Sequence, residues 1–214
     1  MVERHCSGAV LAGGANARFG GAPKGLELID GRRVVDRVLD ALAGGVDERF
    51  LITNDPAIRD SVSGVASYTD TRPERGSLVG LHSALSRSRA AALVVAWDMP
   101  FVSADFLAHL RAIGECAGAA AIPVGAAGPE PLCAYYPRAV LPHVERQLDA
   151  GDLRLSRLVA TLDAAVFLHV EEVARFGPPE LLFANVNTPA DLGAARARAG
   201  GNLCLRLVSL AEHR

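Results

Sequence analysis

Short apolar runs alternate with amphipathic segments along most of the chain, and this alternation constrains the fold more than any other feature of the sequence. Residues 8–12, 50–53, 65–68, 91–97 and 119–124 are mainly apolar and of strand length. Strands that alternate with helices are typical of an α/β sheet with right-handed crossovers. The run at 91–97 is apolar throughout, as expected for a central parallel strand covered on both faces.

Helices are predicted between and after these runs. Residues 34–42 and 78–85 carry apolar side chains at helical spacing. Pro56 suits the first turn of a helix, and Ser103 is a good N-cap for another. The remaining predicted elements are strands at 131–136, 165–170 and 182–186, a helix at 139–148, and a last helix opened by Thr188 and Pro189.

No linker rich in Ser, Gly or Pro divides the 214 residues, so we expect one domain over residues 1–199 and a tail of unassigned structure over 200–214.

Lys and Arg total 22 and Asp and Glu total 24, a near-balance that argues against nucleic-acid binding and against attraction to anionic membranes. The apolar runs are far shorter than the roughly 20 residues that span a bilayer. The first residues do not resemble a signal peptide. We therefore expect a soluble, cytoplasmic protein.

Glycine is concentrated directly after the first predicted strand, where five of the 21 glycines fall between residues 13 and 25. Glycines allow backbone N–H groups to approach an oxyanion, and Arg18 and Lys24 supply the positive charge that a polyphosphate needs. Two common phosphate-binding patterns, G-x-x-x-x-G-K-S/T and G-x-G-x-x-G, do not match this segment. The segment predicts a phosphate-binding loop, with a solvated connecting loop as the alternative.

Polar side chains follow two other predicted strands. Asp98 comes directly after the run at 91–97, where a carboxylate can bind Mg²⁺ together with phosphate oxygens; the alternative is a turn or N-cap aspartate. Asn185 and Asn187 would face the same side of an extended segment, where they could hold a phosphate or a metal-bound water; the alternative is a turn before the last helix. No cysteine or histidine spacing is typical of a zinc site.

Taken together, these residues resemble the molybdenum cofactor guanylyltransferases, over about residues 7–192. The matching features are the Leu-Ala-Gly-Gly opening at 11–14 with Arg18, the Lys24-Gly25 pair, Asp70, the loop at 76–80, the Asp-Met-Pro triplet at 98–100 and Asn-Val-Asn-Thr-Pro at 185–189. Phe19, Ser77 and Trp97 depart from that family's pattern. Trp97 is the bulkiest of the three changes and stands beside Asp98.

The resemblance implies a three-layer, Rossmann-like nucleotidyltransferase fold with a mostly parallel central sheet and helices on both faces. It implies transfer of GMP from Mg-GTP to the molybdopterin-bound molybdenum cofactor, which forms molybdopterin guanine dinucleotide and releases pyrophosphate. Cofactor-insertion proteins or molybdoenzyme chaperones are the implied protein partners. No general base is expected, because the acceptor phosphate is already ionised near neutral pH.

Site residues are implied one by one by the same resemblance. The main chain at Leu11, Ala12, Gly13 and Gly14 would bind GTP, and Asn54, Asp70 and Gly80 would belong to the nucleotide site. The catalytic residues would be Arg18, Lys24 and Asp98, with Lys24 on the phosphates and Asp98 on Mg²⁺. Asn185 and Asn187 would lie on the pterin-phosphate side. Gly13 favours guanine, because cytidylyl relatives typically have alanine there.

Two other functions stay open on the sequence alone. The loop after the first strand is shared with other nucleotidyltransferases, so the chain could transfer a cytidylyl group to the molybdenum cofactor or a nucleotide to a sugar phosphate or phospho-acid. It could also be a non-catalytic nucleotide-binding partner in cofactor delivery, which Trp97 beside Asp98 and the unassigned tail both favour.

Overall fold

The structure is a computed structural model that describes residues 5–13 and 23–211, with side chains described as far as residue 200. The strands in this part of the chain are β1 (Cys6–Leu11), β2 (Leu28–Ile29), β3 (Arg32–Arg33), β4 (Glu48–Ile52), β5 (Ala66–Tyr68), β6 (Ala91–Ala96), β7 (Ala120–Gly125), β8 (Gly128–Pro129), β9 (Cys133–Pro137) and β10 (Ala165–Leu168). The α-helices are α1 (Val34–Ala43), α2 (Pro56–Ser61), α3 (Ser77–Arg87), α4 (Ala104–Ala117), α5 (Leu141–Asp149), α6 (Leu155–Thr161), α7 (Val170–Val173), α8 (Pro179–Leu182) and α9 (Pro189–Ala211).

The main sheet has the strand order β10-β7-β9-β6-β1-β4-β5, and β8 pairs with β7. Strand β9 runs antiparallel to both of its neighbours, β6 and β7, whereas the other pairs along this order are parallel. Strands β2 and β3 form a separate antiparallel hairpin. A mostly parallel central sheet is thereby confirmed.

Side chains that alternate along the central strands build a core on each face of the sheet. Val10 and Leu93 belong to the core that packs under α1 and α4. Ala9 and Val94, their neighbours in sequence, belong to the core under α3 and α5. Successive residues of a strand point to opposite faces, so strands with apolar residues at every position become buried on both sides. This confirms the three-layer arrangement predicted from the sequence.

Local signals in the sequence place several helices correctly. The carboxylate of Asp55 accepts a hydrogen bond from the Ala57 backbone N–H at 2.9 Å, ahead of a proline in the first turn of α2. Ser103 Oγ accepts one from the Phe106 N–H at 3.4 Å and caps α4. Strand β6 is buried along its whole length, as predicted. Only one of its two neighbours is parallel, because β9 enters the sheet in the opposite direction.

The strand predicted at 182–186 is wrong. Leu182 ends α8, and a loop follows it as far as α9. Leu182 and Val186 are buried in apolar clusters without pairing in the sheet, and a short apolar run does not distinguish a strand from such a segment. The Val186 N–H donates to the Asp98 carbonyl at 2.9 Å, so the loop is fixed beside the end of β6.

Other differences concern short or late elements. The strand predicted at 165–170 ends at Leu168, because α7 begins at Val170. The β2–β3 hairpin and α6 were not predicted, since two-residue strands and a seven-residue helix carry little periodic signal.

Helix α9 crosses the boundary expected between domain and tail. It runs without a break from Pro189 to Ala211, so the first part of the tail continues a helix that begins in the domain. The helix packs on the hairpin through a small apolar cluster that includes Ile29, Leu192 and Ala195. The division at residue 199 stays a prediction. None of the helices in the described part of the chain has both the length and the apolar character needed to cross a membrane.

Candidate active site

A pocket of about 940 Å³ opens at the carboxyl ends of β1, β4 and β6, beside the first turn of α3. The chain passes from β1 to β4 and β5 on one side and then crosses through α3 to β6 on the other side, so the strand order reverses at β1. Open α/β sheets bind ligands at such a switch point. Ligand pockets commonly measure about 300–1,000 Å³, so this one is large. The pocket-lining residues that the sequence predicted are Leu11, Ala12, Gly13, Lys24, Asn54, Asp70, Gly80, Asp98, Asn185 and Asn187.

Two further predicted residues, Gly14 and Arg18, lie outside the described residues. Their assignment to the phosphate-binding loop stays a prediction.

Lys24 is the centre of the polar cluster in this pocket. Its ammonium group forms an ion pair with Asp98 Oδ2 and donates a hydrogen bond to Asn187 Oδ1 at 2.6 Å. The Lys24 and Asp98 side chains are only 14% and 9% exposed, so water screens their interaction weakly. Because Lys24 has three N–H donors, it can retain one of these partners while it binds a phosphate oxygen.

Asp98 is held in place by backbone hydrogen bonds on both sides. The preceding residue, Trp97, donates its N–H to the Leu11 carbonyl at 3.2 Å, which ties the end of β6 to the end of β1. The Asp98 carbonyl accepts from the Val186 N–H at 2.9 Å. The carboxylate therefore projects from a rigid strand end, which is the position predicted from the sequence.

Asn187 is positioned by the cap of α9. The Asp191 carboxylate accepts hydrogen bonds from the backbone N–H groups of Asn187, at 3.0 Å, and Thr188, at 2.8 Å. Thr188 Oγ1 accepts one in return from the Asp191 N–H at 3.1 Å. This reciprocal arrangement satisfies N–H groups that would otherwise be unpaired at a helix start. Asn185 lines the same pocket and donates to the Phe183 carbonyl at 3.1 Å.

Asn54 and Asp70 form a second polar pair in the pocket, at the ends of β4 and β5. The Asn54 amide donates to Asp70 Oδ2 at 2.6 Å, and Asn54 Oδ1 accepts from the Asp70 N–H at 2.9 Å. Ser83 on α3 donates to Asp70 Oδ1 at 3.3 Å. The sequence placed both residues in the nucleotide site but did not predict that they bind each other.

A buried polar chain behind Asp70 was also missed by sequence reasoning. Ser83 Oγ accepts from the Thr71 N–H at 2.9 Å, and Thr71 Oγ1 lies 2.7 Å from His82 Nδ1. Burial and the positive charge of Arg72 lower the pKa of His82, although the nearby Glu145 opposes this shift. Isolated Ser, Thr and His residues give no motif, so no signal in the sequence could have identified this chain.

Glycines shape the wall formed by α3. Gly76 precedes the helix with a φ of 148°, a conformation that other residues rarely adopt. Gly80 lies in the second turn, where a Cβ would come within 3.0 Å of Leu11 Cδ1. The absence of a side chain at Gly80 lets α3 approach the end of β1 at this wall of the pocket.

Metal-binding groups are sparse in the described part of the chain. Within it, no three His, Cys, Asp or Glu side chains come together as a metal site. Asp98 pairs with Lys24, Asn187 Oδ1 accepts from the same ammonium group, and Asn185 lines the same pocket. Any ion here would need most of its ligands from a substrate or from water.

The fold and the pocket define an α/β nucleotide-binding protein whose site brings a cation, a carboxylate and amides to the switch point of the sheet. The profile of the MobA-like NTP transferase domain matches residues 8–166. The chain therefore belongs to the MobA-like NTP transferase family and is a nucleotidyltransferase.

Individual relatives and a solved structure agree with this membership. The molybdenum cofactor guanylyltransferase of Desulfosudis oleivorans is 33% identical over 193 residues, covering 89% of this chain and 94% of the relative. The probable molybdenum cofactor guanylyltransferase of Deinococcus radiodurans is 35% identical, covering 91% and 96%. The crystal structure of molybdopterin-guanine dinucleotide biosynthesis protein A from Archaeoglobus fulgidus superposes with a TM-score of 0.79 at 30% identity, covering 91% of this chain and 99% of that one.

Proposed function

We propose that this enzyme transfers GMP from GTP to the terminal phosphate of the molybdopterin-bound molybdenum cofactor, forming molybdopterin guanine dinucleotide and pyrophosphate. The observation that carries the proposal is the Lys24–Asp98–Asn187 cluster, which brings together three segments that the sequence assigned to phosphate, metal and acceptor. The names of relatives that match about nine-tenths of the chain support the same reaction.

The nucleotide would occupy the part of the pocket between β1, β4 and α3. The backbone at Leu11, Ala12 and Gly13 would contact the nucleotide, and Gly80, which lines the same pocket, would lie beside it. The Asn54–Asp70 pair presents a fixed amide and carboxylate there. A guanine offers donors to a carboxylate, so Asp70 supplies a suitable acceptor.

The acceptor would approach from the side of Asn185 and Asn187. Both amides line the pocket beside Lys24, although the segment is a loop and not the predicted strand. Amide N–H₂ groups can donate to the oxygens of the cofactor's phosphate.

The transfer is a substitution at the α-phosphorus of GTP. An ionised oxygen of the acceptor phosphate forms the new P–O bond, and the bond to the β-phosphate oxygen breaks, so pyrophosphate leaves with the electron pair. Lys24 donates to phosphate oxygens and offsets the negative charge that increases on the leaving group. The protein's main contribution is to position the two anions and to reduce their repulsion.

The residues at Asp98 fit a bound Mg²⁺. Mg²⁺ commonly takes one or two protein carboxylates and completes its shell with phosphate oxygens and water. The single buried carboxylate of Asp98, which shares the partner Lys24 with Asn187 Oδ1, meets that requirement. When bound, Mg²⁺ would supply further positive charge at the phosphates. The proposal also includes a requirement for Mg²⁺, protein partners that receive the cofactor, and a cytoplasmic location.

The test is product formation from purified protein, molybdopterin loaded with molybdate, and either MgGTP or MgCTP, followed by mass spectrometry. We expect the guanine dinucleotide with GTP and little cytosine dinucleotide with CTP. Asp98→Asn should lose activity, while the matched control Asp163→Asn, at an exposed position outside the pocket, should retain it. Product from CTP alone would contradict the guanine assignment. Full activity of Asp98→Asn would remove Asp98 from the site.

A further inference from the structure

At the edge of the pocket, the consecutive residues Lys24 and Gly25 contact the consecutive residues Trp97 and Asp98. Lys24 forms an ion pair with Asp98, and the residues next to them, Gly25 and Trp97, pack together. A Cβ added to Gly25 would lie 2.2 Å from Trp97 Cε3 and 2.5 Å from Cδ2. The indole ring therefore lies directly against the backbone of Gly25, and only glycine permits that approach.

Trp97 is held rigidly on its own strand. The residue is 1% exposed and belongs to the core under α1 and α4. The backbone N–H donates to Leu11, as described above, and the indole Nε1 has no partner in the described part of the chain. Burying an unpaired N–H costs free energy of folding. Packing, and not a hydrogen bond from the indole, therefore fixes the ring.

The segment that carries Lys24 has little stability of its own. It is a single 3-10 turn, Lys24–Leu26, without a side-chain cap. A lysine side chain is also flexible, so its ammonium group has a defined position only if the backbone beneath it is fixed. Leu26 packs against the same core as Trp97, and the contact between Gly25 and Trp97 lies next to Lys24 itself.

We propose that Trp97 is a positioning residue for the transfer reaction and acts through Lys24. The ring supports the backbone at Gly25 and so fixes the Lys24 ammonium group between Asp98 and Asn187, where it meets the phosphates. The proposal rests on the proposed function, because Lys24 is there the group that binds the phosphates. It explains why a bulky side chain beside Asp98 is compatible with an active site.

The main test is a double-mutant cycle on kcat/KM. Trp97→Ala should lower kcat/KM about fivefold or more when Lys24 is present, because small displacements of a phosphate-binding group reduce rates strongly. In the Lys24→Ala background the same change should cost less than about twofold, since the two residues act as one unit. Equal losses in both backgrounds would overturn the proposal. Trp97→Phe keeps ring carbons near Gly25 and should recover most of the activity. If Trp97→Ala does not fold, Trp97→Leu, which removes the ring but fills more of its space, with and without Lys24 gives the cycle.

A second cycle tests the contact itself. Gly25→Ala should impair activity strongly when Trp97 is present, because the new methyl group overlaps the ring. Combined with Trp97→Ala it should add little further loss, because the ring is gone and the methyl group has space. Additive losses would contradict a direct contact. Gly44→Ala is the matched control: a Cβ at this exposed position has open space around it, and activity should not change.

Lys24 also allows a test that does not depend on transferase activity, because it is the only lysine in the sequence. The rate at which an acylating reagent modifies Lys24, followed by mass spectrometry of the untagged protein, reports how accessible its amine is. Trp97→Ala should increase this rate severalfold, and Trp97→Phe much less. An unchanged rate would overturn the proposal even if the protein transfers no GMP, so the two failures can be told apart.

Discussion

Lys24 is the residue on which most of the site's chemistry depends. Among 22 basic residues it is the only lysine, and the structure places it between a carboxylate and an amide oxygen at the switch point of the sheet. A lysine presents a compact charge with three rotatable donors, whereas arginine presents a rigid planar fork. The ammonium group can therefore turn from its present partners toward a phosphate oxygen with little movement of the backbone.

Replacing Lys24 should lower the activity of the protein. A charge-assisted contact to a phosphate is worth about 1.5–3 kcal/mol, so Lys24→Ala should reduce kcat/KM at least about tenfold. Steady-state kinetics with MgGTP would measure this. The control is Arg89→Ala, which removes an exposed positive charge just before β6. Arg89 lies at the amino end of this strand, and the pocket lies at the carboxyl end. An unchanged kcat/KM for Lys24→Ala would show that Lys24 does not act on the phosphates.

His82 should make stability depend on pH. Burial and Arg72 lower its pKa below the ordinary value of 6.5, against the opposing charges of Glu145 and Glu74. The unfolded chain then takes up a proton before the folded protein does, so the free energy of unfolding should decrease as the pH falls through 6.5. Urea unfolding across this range would measure the slope, and His82→Asn should reduce it. The same slope in both proteins would contradict the lowered pKa.

At the scale of elements, two glycines inside helices should respond in opposite ways to alanine. A Cβ on Gly114 in α4 would lie 2.0 Å from Tyr135 Cδ1, whereas a Cβ on the exposed Gly193 in α9 would have open space. Gly114→Ala should therefore destabilise the protein by about 1–3 kcal/mol through overpacking of α4 on β9. Gly193→Ala should stabilise it by up to about 1 kcal/mol through helix propensity. Chemical denaturation would measure both, and effects of the same sign would contradict this packing.

Sequence patterns predicted the elements that have strong local signals. The periodicity of α1, the proline of α2 and the Ser103 cap of α4 each gave a correct helix. The segment at 182–186 was assigned wrongly, because its apolar residues are buried by contacts with other elements, such as that of Phe183 with Phe106 of α4, and not by strand pairing. Such contacts leave no period in the sequence.

At the scale of the whole molecule, the order of strands and helices was enough to predict an α/β sheet, and hence the edge at which the site lies, whereas the three-layer arrangement was implied by the family resemblance. Lys24 and Asp98 come from distant parts of the sequence, and the rule that strand ends share an edge predicted that they lie on the same side of the sheet. Asn187 was assigned to that edge from a strand that the structure does not contain, and the loop before α9 brings it there instead. The reciprocal Asn54–Asp70 pair and the packing of Trp97 on Gly25 could not be predicted. Both depend on side-chain positions to within about an ångström, which pattern and propensity do not determine.

The most direct test of the central claim is to follow the phosphates of GTP. The protein is incubated with the molybdenum cofactor and with GTP radiolabelled at either the α- or the γ-phosphate, and the products are separated. Guanylyl transfer predicts that the α label enters the molybdopterin dinucleotide and that the γ label appears in pyrophosphate. An α label that stays in GTP or is released only as free GMP or GDP, with the acceptor present, would contradict the account.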